Sequence, residues 1–310
     1  MNNKRQSRSI ALIAIIGASL LWSTAGISKP LVRQFDPFTV AFIRFLIASL
    51  IILPFALKEK INKKIKYLPI LPITLLSTVN IIFFYLGLTT STANAATIIY
   101  NLTPLIVALT AFRLIKEQIA AKKIVGILIG FFGTMIIAVL PIFEGKSPVS
   151  GDIRGNLFFI AAACSWAIYT IGSRQVIAKH GYSPLTVSSI SIFNSTLVFG
   201  LITIFTWKSD YLSALTNPSM YLLFLHLGIL VTVATYLLFQ WGVKNSSAST
   251  ASLSQYLQPI FAIIFNVIFL GEKLTFVFII GGLLVFIGVI IATGTGVIAE
   301  INKLLRTVKS

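Results

Sequence analysis

Ten apolar stretches, each separated by a short polar or basic connector, run almost the whole length of this 310-residue chain. Their edges fall near 10–29, 37–57, 67–88, 93–113, 121–141, 153–177, 184–206, 219–242, 249–270 and 275–297. A helix needs roughly 20 apolar residues to cross a bilayer's hydrocarbon, and each stretch is long enough. The pattern predicts an all-α membrane protein of ten transmembrane helices. The first stretch follows Lys4, Arg5 and Arg8, as a signal peptide would. It is longer than a signal core, lacks a clear small-x-small cleavage site and has a counterpart later in the chain, so it is read as a span.

The pattern also repeats. Residues 84–136 align without a gap on residues 239–291, and 14 of 53 pairs are identical, including Gly87/Gly242, Pro104/Pro259, Glu117/Glu272 and Gly133/Gly288. Roughly four to five identities would arise by chance in so apolar a chain, so the halves are duplicates. Trp22 and Trp166 match at an offset of 144, and DPFTVAFI from Asp36 resembles SPLTVSSI from Ser183. Spans 1–5 therefore correspond to spans 6–10. Copies of an odd number of spans must lie in opposite orientations, an arrangement of membrane transporters. The predicted organisation is a first repeat at 1–140, a Pro/Gly/Ser-rich joint at 141–152, a second repeat at 153–298 and a tail at 299–310.

Composition agrees with the pattern. The chain is 56% hydrophobic and 11% charged, far below the roughly 25% charged residues of a soluble domain. Its net charge of +17 would suit nucleic acid only if gathered on one soluble face, and instead it is scattered between apolar runs, which excludes a nucleic-acid partner. Eighteen of the 25 basic residues fall in connectors on one side and six on the other. Positive residues stay inside, which places both termini in the cytoplasm and the protein, multi-pass, in a cell (inner or cytoplasmic) membrane. Arg44 alone lies within a span. The lone Cys164 and the two histidines match no metal spacing, and no cofactor motif occurs.

The doubled segments 87–138 and 242–293, with IRFLIASLIILP at 43–54, resemble the EamA domain of the drug/metabolite transporter superfamily. The likeness extends over nearly the whole chain. It implies alternating access between the repeats and transport of amino acids or related small metabolites, with export favoured over uptake. It also implies that spans 1, 3, 4, 6, 8 and 9 surround the pathway. A nucleotide-like or cofactor metabolite, or a receptor that binds without transporting, remain the alternatives. An enzyme is excluded, because no catalytic set of residues lies at membrane depth.

Polar groups are costly in hydrocarbon and turn towards protein or a watery cavity. Small ones such as Ser77, Gly87, Thr97 and Gly242 read as helix-packing seams. Larger ones fit a seam poorly. Trp22, Asn80, Tyr100, Asn101, Trp166, Tyr236, Gln240, Gln255 and Tyr256 are therefore the candidate substrate-binding residues, with Gln258 also of this type. Pro104 and Pro259 sit mid-span at equivalent positions and are candidate hinges. Arg44 either reaches for headgroups, Asp36 or a carbonyl, or attracts an anionic substrate. His226 is either hydrogen-bonded structure or a proton-linked group. No acid lies mid-span, which disfavours cation export by a buried carboxylate; proton coupling would fall to His226, Glu117 or Glu272. The expected partners are a small-molecule substrate and the lipid bilayer, and nothing in the chain fixes an oligomeric state.

Overall fold

The structure is a computed structural model that describes residues 2–59, 67–103, 106–107, 110, 121–144, 151–245, 254–288 and 290–291. Among them lie α1 (Asn2–Ser23), α2 (Lys29–Gln34), α3 (Pro37–Lys58), α4 (Tyr67–Thr90), α5 (Ala93–Ile99), α6 (Ala121–Glu144), α7 (Ile153–His180), α8 (Pro184–Thr206), α9 (Tyr211–Leu215), α10 (Pro218–Asn245), α11 (Ser254–Leu270) and α12 (Phe276–Gly288). No strand occurs among the described residues.

Local sequence sets the helix starts. Asp36 precedes Pro37, and its carboxylate accepts the N–H groups of Phe38 and Thr39. Ser183 before Pro184 accepts from Thr186, and Asn217 before Pro218 accepts from Ser219. A proline in the first turn has no N–H to strand, while the preceding side chain satisfies one that would otherwise be lost in lipid. The first two caps are the equivalent DP and SP of the repeat. Helix α7 stops at Gly181, whose φ of +68° is readily adopted only by glycine.

Six helical stretches are long and apolar enough to cross a membrane: Ile13–Gln34, Pro37–Lys58, Pro69–Thr90, Ile153–His180, Pro184–Thr206 and Pro218–Asn245. Shorter apolar helices occupy Ile124–Ile137, Phe261–Leu270 and Phe276–Gly288, within the stretches expected to be spans 5, 9 and 10. The expected fourth span is described only at its start, as α5. The distribution of side chains is that of a protein bathed in lipid. On α8, Phe205 is 88% exposed and Ile204 71%, while Ser188, Ser191 and Ser195 are fully buried. A soluble helix would place these groups the other way round. This is a multi-pass membrane protein.

The first span differs from its expectation of one continuous helix over 10–29. It breaks at Thr24, passes through a tight 3-10 turn at Ala25–Ser28 and resumes as α2. The hydroxyls of Ser23, Thr24 and Ser28 donate to the carbonyls of Leu20, Leu21 and Ala25, three residues back, which satisfies the loosened turn internally. The eighth span also departs from regularity, because His226–Ala234 within α10 is a π-helix.

Packing relates the two halves. Helix α4 lies along α7, and α1 along α10; spans 3 and 6 thus meet as their equivalents, spans 8 and 1, do. Helix α3 packs on α8, the equivalents spans 2 and 7. Hydroxyl pairs stitch these seams, Ser49 with Thr196 at 2.7 Å and Thr78 with Ser195 at 2.8 Å. Helices α6 and α12 meet backbone to backbone. A Cβ on Gly133 would lie 2.7 Å from both the Gly281 carbonyl oxygen and the Val285 nitrogen, whereas one on Gly282 meets nothing closer than 3.5 Å. Neither backbone atom can rotate away. Gly133→Ala should therefore lower the thermal stability of the detergent-purified protein by about 1–3 kcal/mol, with Gly282→Ala nearly neutral. Equal melting temperatures for the two variants would refute this packing.

Candidate functional site

The break in the first span opens a wall. Trp22, Ser23, Ala25 and Gly26 face a cavity whose other sides are Arg44 of α3; Asn80, Ile81 and Phe84 of α4; Ala93, Ala96 and Thr97 of α5, with Tyr100 just beyond it; Trp166 of α7; Tyr236 of α10; and Gln258 and Ala262 of α11. Its volume, measured at the centres of water-sized molecules, is about 80 Å³. One water needs roughly 10–15 Å³ on that measure, so the space holds several waters or one small solute.

Aromatic rings form the apolar part of the wall. Trp22 and Trp166, equivalent in the two repeats, meet edge to face with centroids 5.4 Å apart. Trp166 lies 6.2 Å from the Tyr236 ring, and Phe84 lies 5.9 Å from Tyr100. Asn80 uses both amide hydrogens, one to the Tyr100 hydroxyl at 2.9 Å and one to the Ala162 carbonyl at 2.8 Å, and so ties α4 to both the Tyr100 turn and α7.

Arg44 supplies the charge. It is 3% exposed, and it donates from Nε to Thr232 Oγ1 at 2.6 Å, from Nη1 to the Tyr85 hydroxyl at 3.3 Å and from Nη2 to the Val231 carbonyl at 3.1 Å. It thus reaches neither the headgroups nor Asp36, whose carboxylate caps its own helix. The π-helix belongs to this arrangement. Thr232 donates to the Leu227 carbonyl five residues back, and Val231, on the same widened turn, offers its oxygen to Arg44. All three partners are neutral. An arginine has five N–H donors, so two are left without a partner among the described residues. Tyr236 is 2% exposed, and its hydroxyl lies near that of Ser77, which donates its own proton to the Thr74 carbonyl and keeps its lone pairs free to accept.

The structure thus brings together Trp22, Arg44, Asn80, Tyr100, Trp166 and Tyr236 from the expected set. It turns others away from the cavity. Asn101 is buried and donates to the Thr97 carbonyl, while Gln240 donates to the Tyr169 hydroxyl. His226 lies 2.9 Å from the Thr24 hydroxyl and braces the break in the first span. Gln255, Tyr256 and Pro259 fall within α11, but their side chains lie outside the described residues, as do all of Pro104 and Glu117. Thr97, read as a packing residue, lines the cavity, whereas Gly87 does pack tightly, its position filled by the ring of Phe159. Ser23, Ala25 and Gly26 escape the sequence reading, although Pro30, which cannot donate to the Gly26 carbonyl four residues back and starts α2, was a local signal of the break. Phe84 carried a signal in its identity with Phe239.

Among the described residues no acid lines the cavity, and no cluster of His, Cys, Asp and Glu could hold a metal. Glu272 is engaged elsewhere, pairing with Lys29 at 3.0 Å and accepting the N–H groups of Ala93 and Asn94.

Known proteins share both sequence and fold with this chain. An "Uncharacterized transporter" of Archaeoglobus fulgidus is 27% identical over 94% of this chain and 98% of its own length. Another, from Clostridium kluyveri, is 28% identical over 90% and 91%, and YyaM of Bacillus subtilis, also an uncharacterized transporter, is 27% identical over 94% and 95%. A solved crystal structure superposes with a TM-score of 0.66 at 20% identity, covering 92% of this chain and 97% of that one, which shows a shared fold. These relatives carry the names of transporters and not of enzymes. Residues 9–139 and 153–294 each match the EamA-like transporter family, and the chain belongs to it.

Proposed function

We propose that this protein is a secondary transporter for a small metabolite bearing a carboxylate, an amino acid or related acid. It works by alternating access between two inverted five-span repeats, with ten spans and both termini in the cytoplasm of the cell that it serves by export. The observation that carries the reading is Arg44, a buried guanidinium at the cavity wall that among the described residues has only neutral partners and two N–H groups without one. A buried charge without a counter-ion is costly, and a substrate carboxylate would offset that cost while accepting paired hydrogen bonds. Contributions from both repeats to one cavity support a pathway at their junction. A nucleotide-like substrate fits less well, because its phosphates need more cations than the one arginine on the wall.

The test is exchange in sealed proteoliposomes. Vesicles loaded with a small carboxylate or amino acid should take up the labelled compound by counterflow, and amines of the same size should not compete. Binding without flux would point to a receptor, and flux of amines alone would overturn the carboxylate site.

A further inference from the structure

The cavity's charge balance narrows the substrate further. Resting on the carboxylate reading above, we propose that the preferred ligand is a net anion, a monocarboxylate with an apolar or aromatic body, and not a zwitterion. Arg44 brings one positive charge to the wall. An amino acid would bring a carboxylate to it and, two bonds further on, an ammonium. The ammonium needs a counter-charge that the wall lacks. All eight acids of the chain lie outside the middle of the spans. Those whose surroundings the structure describes are not on the cavity wall: Asp36 and Asp152 cap α3 and α7, Glu59 accepts from Thr186, Asp210 is exposed before α9, and Glu272 holds Lys29 and the start of α5. A bound zwitterion would leave the net charge of the buried site at +1, while a monoanion brings it to zero.

The remaining polar groups on the wall point the same way. Tyr236 lines the cavity, and its hydroxyl, held by no bond tighter than its approach to Ser77, has a proton that suits a carboxylate oxygen. The Asn80 amide hydrogens, which could also have met an anion, are committed, and the Ser23 and Thr97 hydroxyls donate to the carbonyls of Leu20 and Ala93. The one full charge among the described lining residues is thus Arg44, with Tyr236 and Gln258 as neutral polar neighbours. Trp22, Phe84, Tyr100 and Trp166 line the rest, where an apolar body is better accommodated than a solvated group. Their ring faces could attract an ammonium, but only in a cavity that already holds a guanidinium, whose repulsion acts against it in a low dielectric.

Three compounds of one size separate the possibilities: 3-phenylpropanoate, phenylalanine and 2-phenylethylamine, which differ in the charge they carry. Thermal shift and tryptophan fluorescence of the detergent-purified full chain give their affinities, and proteoliposome counterflow gives their transport. Binding of 3-phenylpropanoate should be tighter than that of phenylalanine by about tenfold or more, and the amine should not bind. N-acetylphenylalanine, which removes the ammonium and keeps the carboxylate, should recover most of the difference. Tyr236→Phe deletes only the hydroxyl and should weaken 3-phenylpropanoate several-fold. Phenylalanine binding as tightly as 3-phenylpropanoate would overturn the charge-balance inference while leaving the carboxylate site intact. Binding of the amine alone, or of none of the three, would remove both.

Discussion

Replacing Arg44 with glutamine is expected to reduce carboxylate transport at sub-saturating substrate by about 30-fold or more, the largest functional effect available in this cavity. Removing one member of a buried, hydrogen-bonded charge pair typically costs about 2–5 kcal/mol, which sets that scale. The loss should fall mainly on KM, because Arg44 acts on the bound carboxylate in the ground state. A second consequence is structural. Arg44 spans three groups on two other helices, Thr232 and Val231 of α10 and Tyr85 of α4. Thr232 keeps its bond to Leu227, but the Val231 carbonyl loses its arginine donor and retains the Thr235 hydroxyl at 2.8 Å. A stability loss of about 1–2 kcal/mol should follow. Arg44→Lys separates the two effects. It retains the charge but not the planar fork, so it should recover part of the transport while failing to restore the link between α3 and the π-helix. Counterflow kinetics and melting temperature, measured on both variants, make the check. An unchanged KM in Arg44→Gln would exclude the arginine from the substrate site.

Which features could be read in the chain follows from what each depends on. Apolar stretches and their basic connectors depend on composition over about 20 residues, and no distant contact can mask them. The equivalence of Trp22 and Trp166 was likewise visible as an offset, and the structure sets the two rings against each other. Asn101 illustrates the limit. Its bulk and polarity made it a candidate for the cavity, which assumes that a regular helix continues through it. Helix α5 ends at Ile99, and the turn that follows folds the amide of Asn101 back onto the Thr97 carbonyl. Gln240 shows a different limit. Bulky buried amides need partners, and this one gives its amide hydrogen to the Tyr169 hydroxyl of another helix, off the cavity wall. The break at Thr24 and the π-helix at His226–Ala234 were hidden for a related reason. The π-helix carries no proline and the break has only Pro30 beyond it, and each is held by groups far away in sequence, His226 on Thr24 and Arg44 on Val231. Backbone irregularities stabilised by tertiary contacts leave little local trace, and here they form the site.

The largest effect on stability is expected from Glu272→Gln. Glu272 lies in the turn between α11 and α12, and its carboxylate joins three separate elements. Oε1 accepts the Ala93 N–H at 2.8 Å and the Lys29 ammonium at 3.0 Å, and Oε2 accepts the Asn94 N–H at 2.8 Å. The first N–H groups of a helix have no partner within it, and a negative charge there also complements the helix dipole. The side chain is 9% exposed and that of Lys29 16%, so solvent screens the pair only weakly. Glutamine keeps one acceptor, turns an NH2 group towards a backbone N–H and leaves Lys29 without its counter-charge. A loss of about 2–4 kcal/mol is expected, from one stranded N–H and one unpaired ammonium. Lys29→Met should cost less, because the carboxylate keeps both backbone bonds. Hydrogen exchange locates the effect: the Ala93 and Asn94 amides should lose protection in Glu272→Gln and keep most of it in Lys29→Met. These amides begin the helix whose Ala93, Ala96 and Thr97 line the cavity, so fraying there should also raise KM for substrate. Unchanged protection in Glu272→Gln would mean that this carboxylate does not hold α5 in place, and the wall it supports would need another anchor.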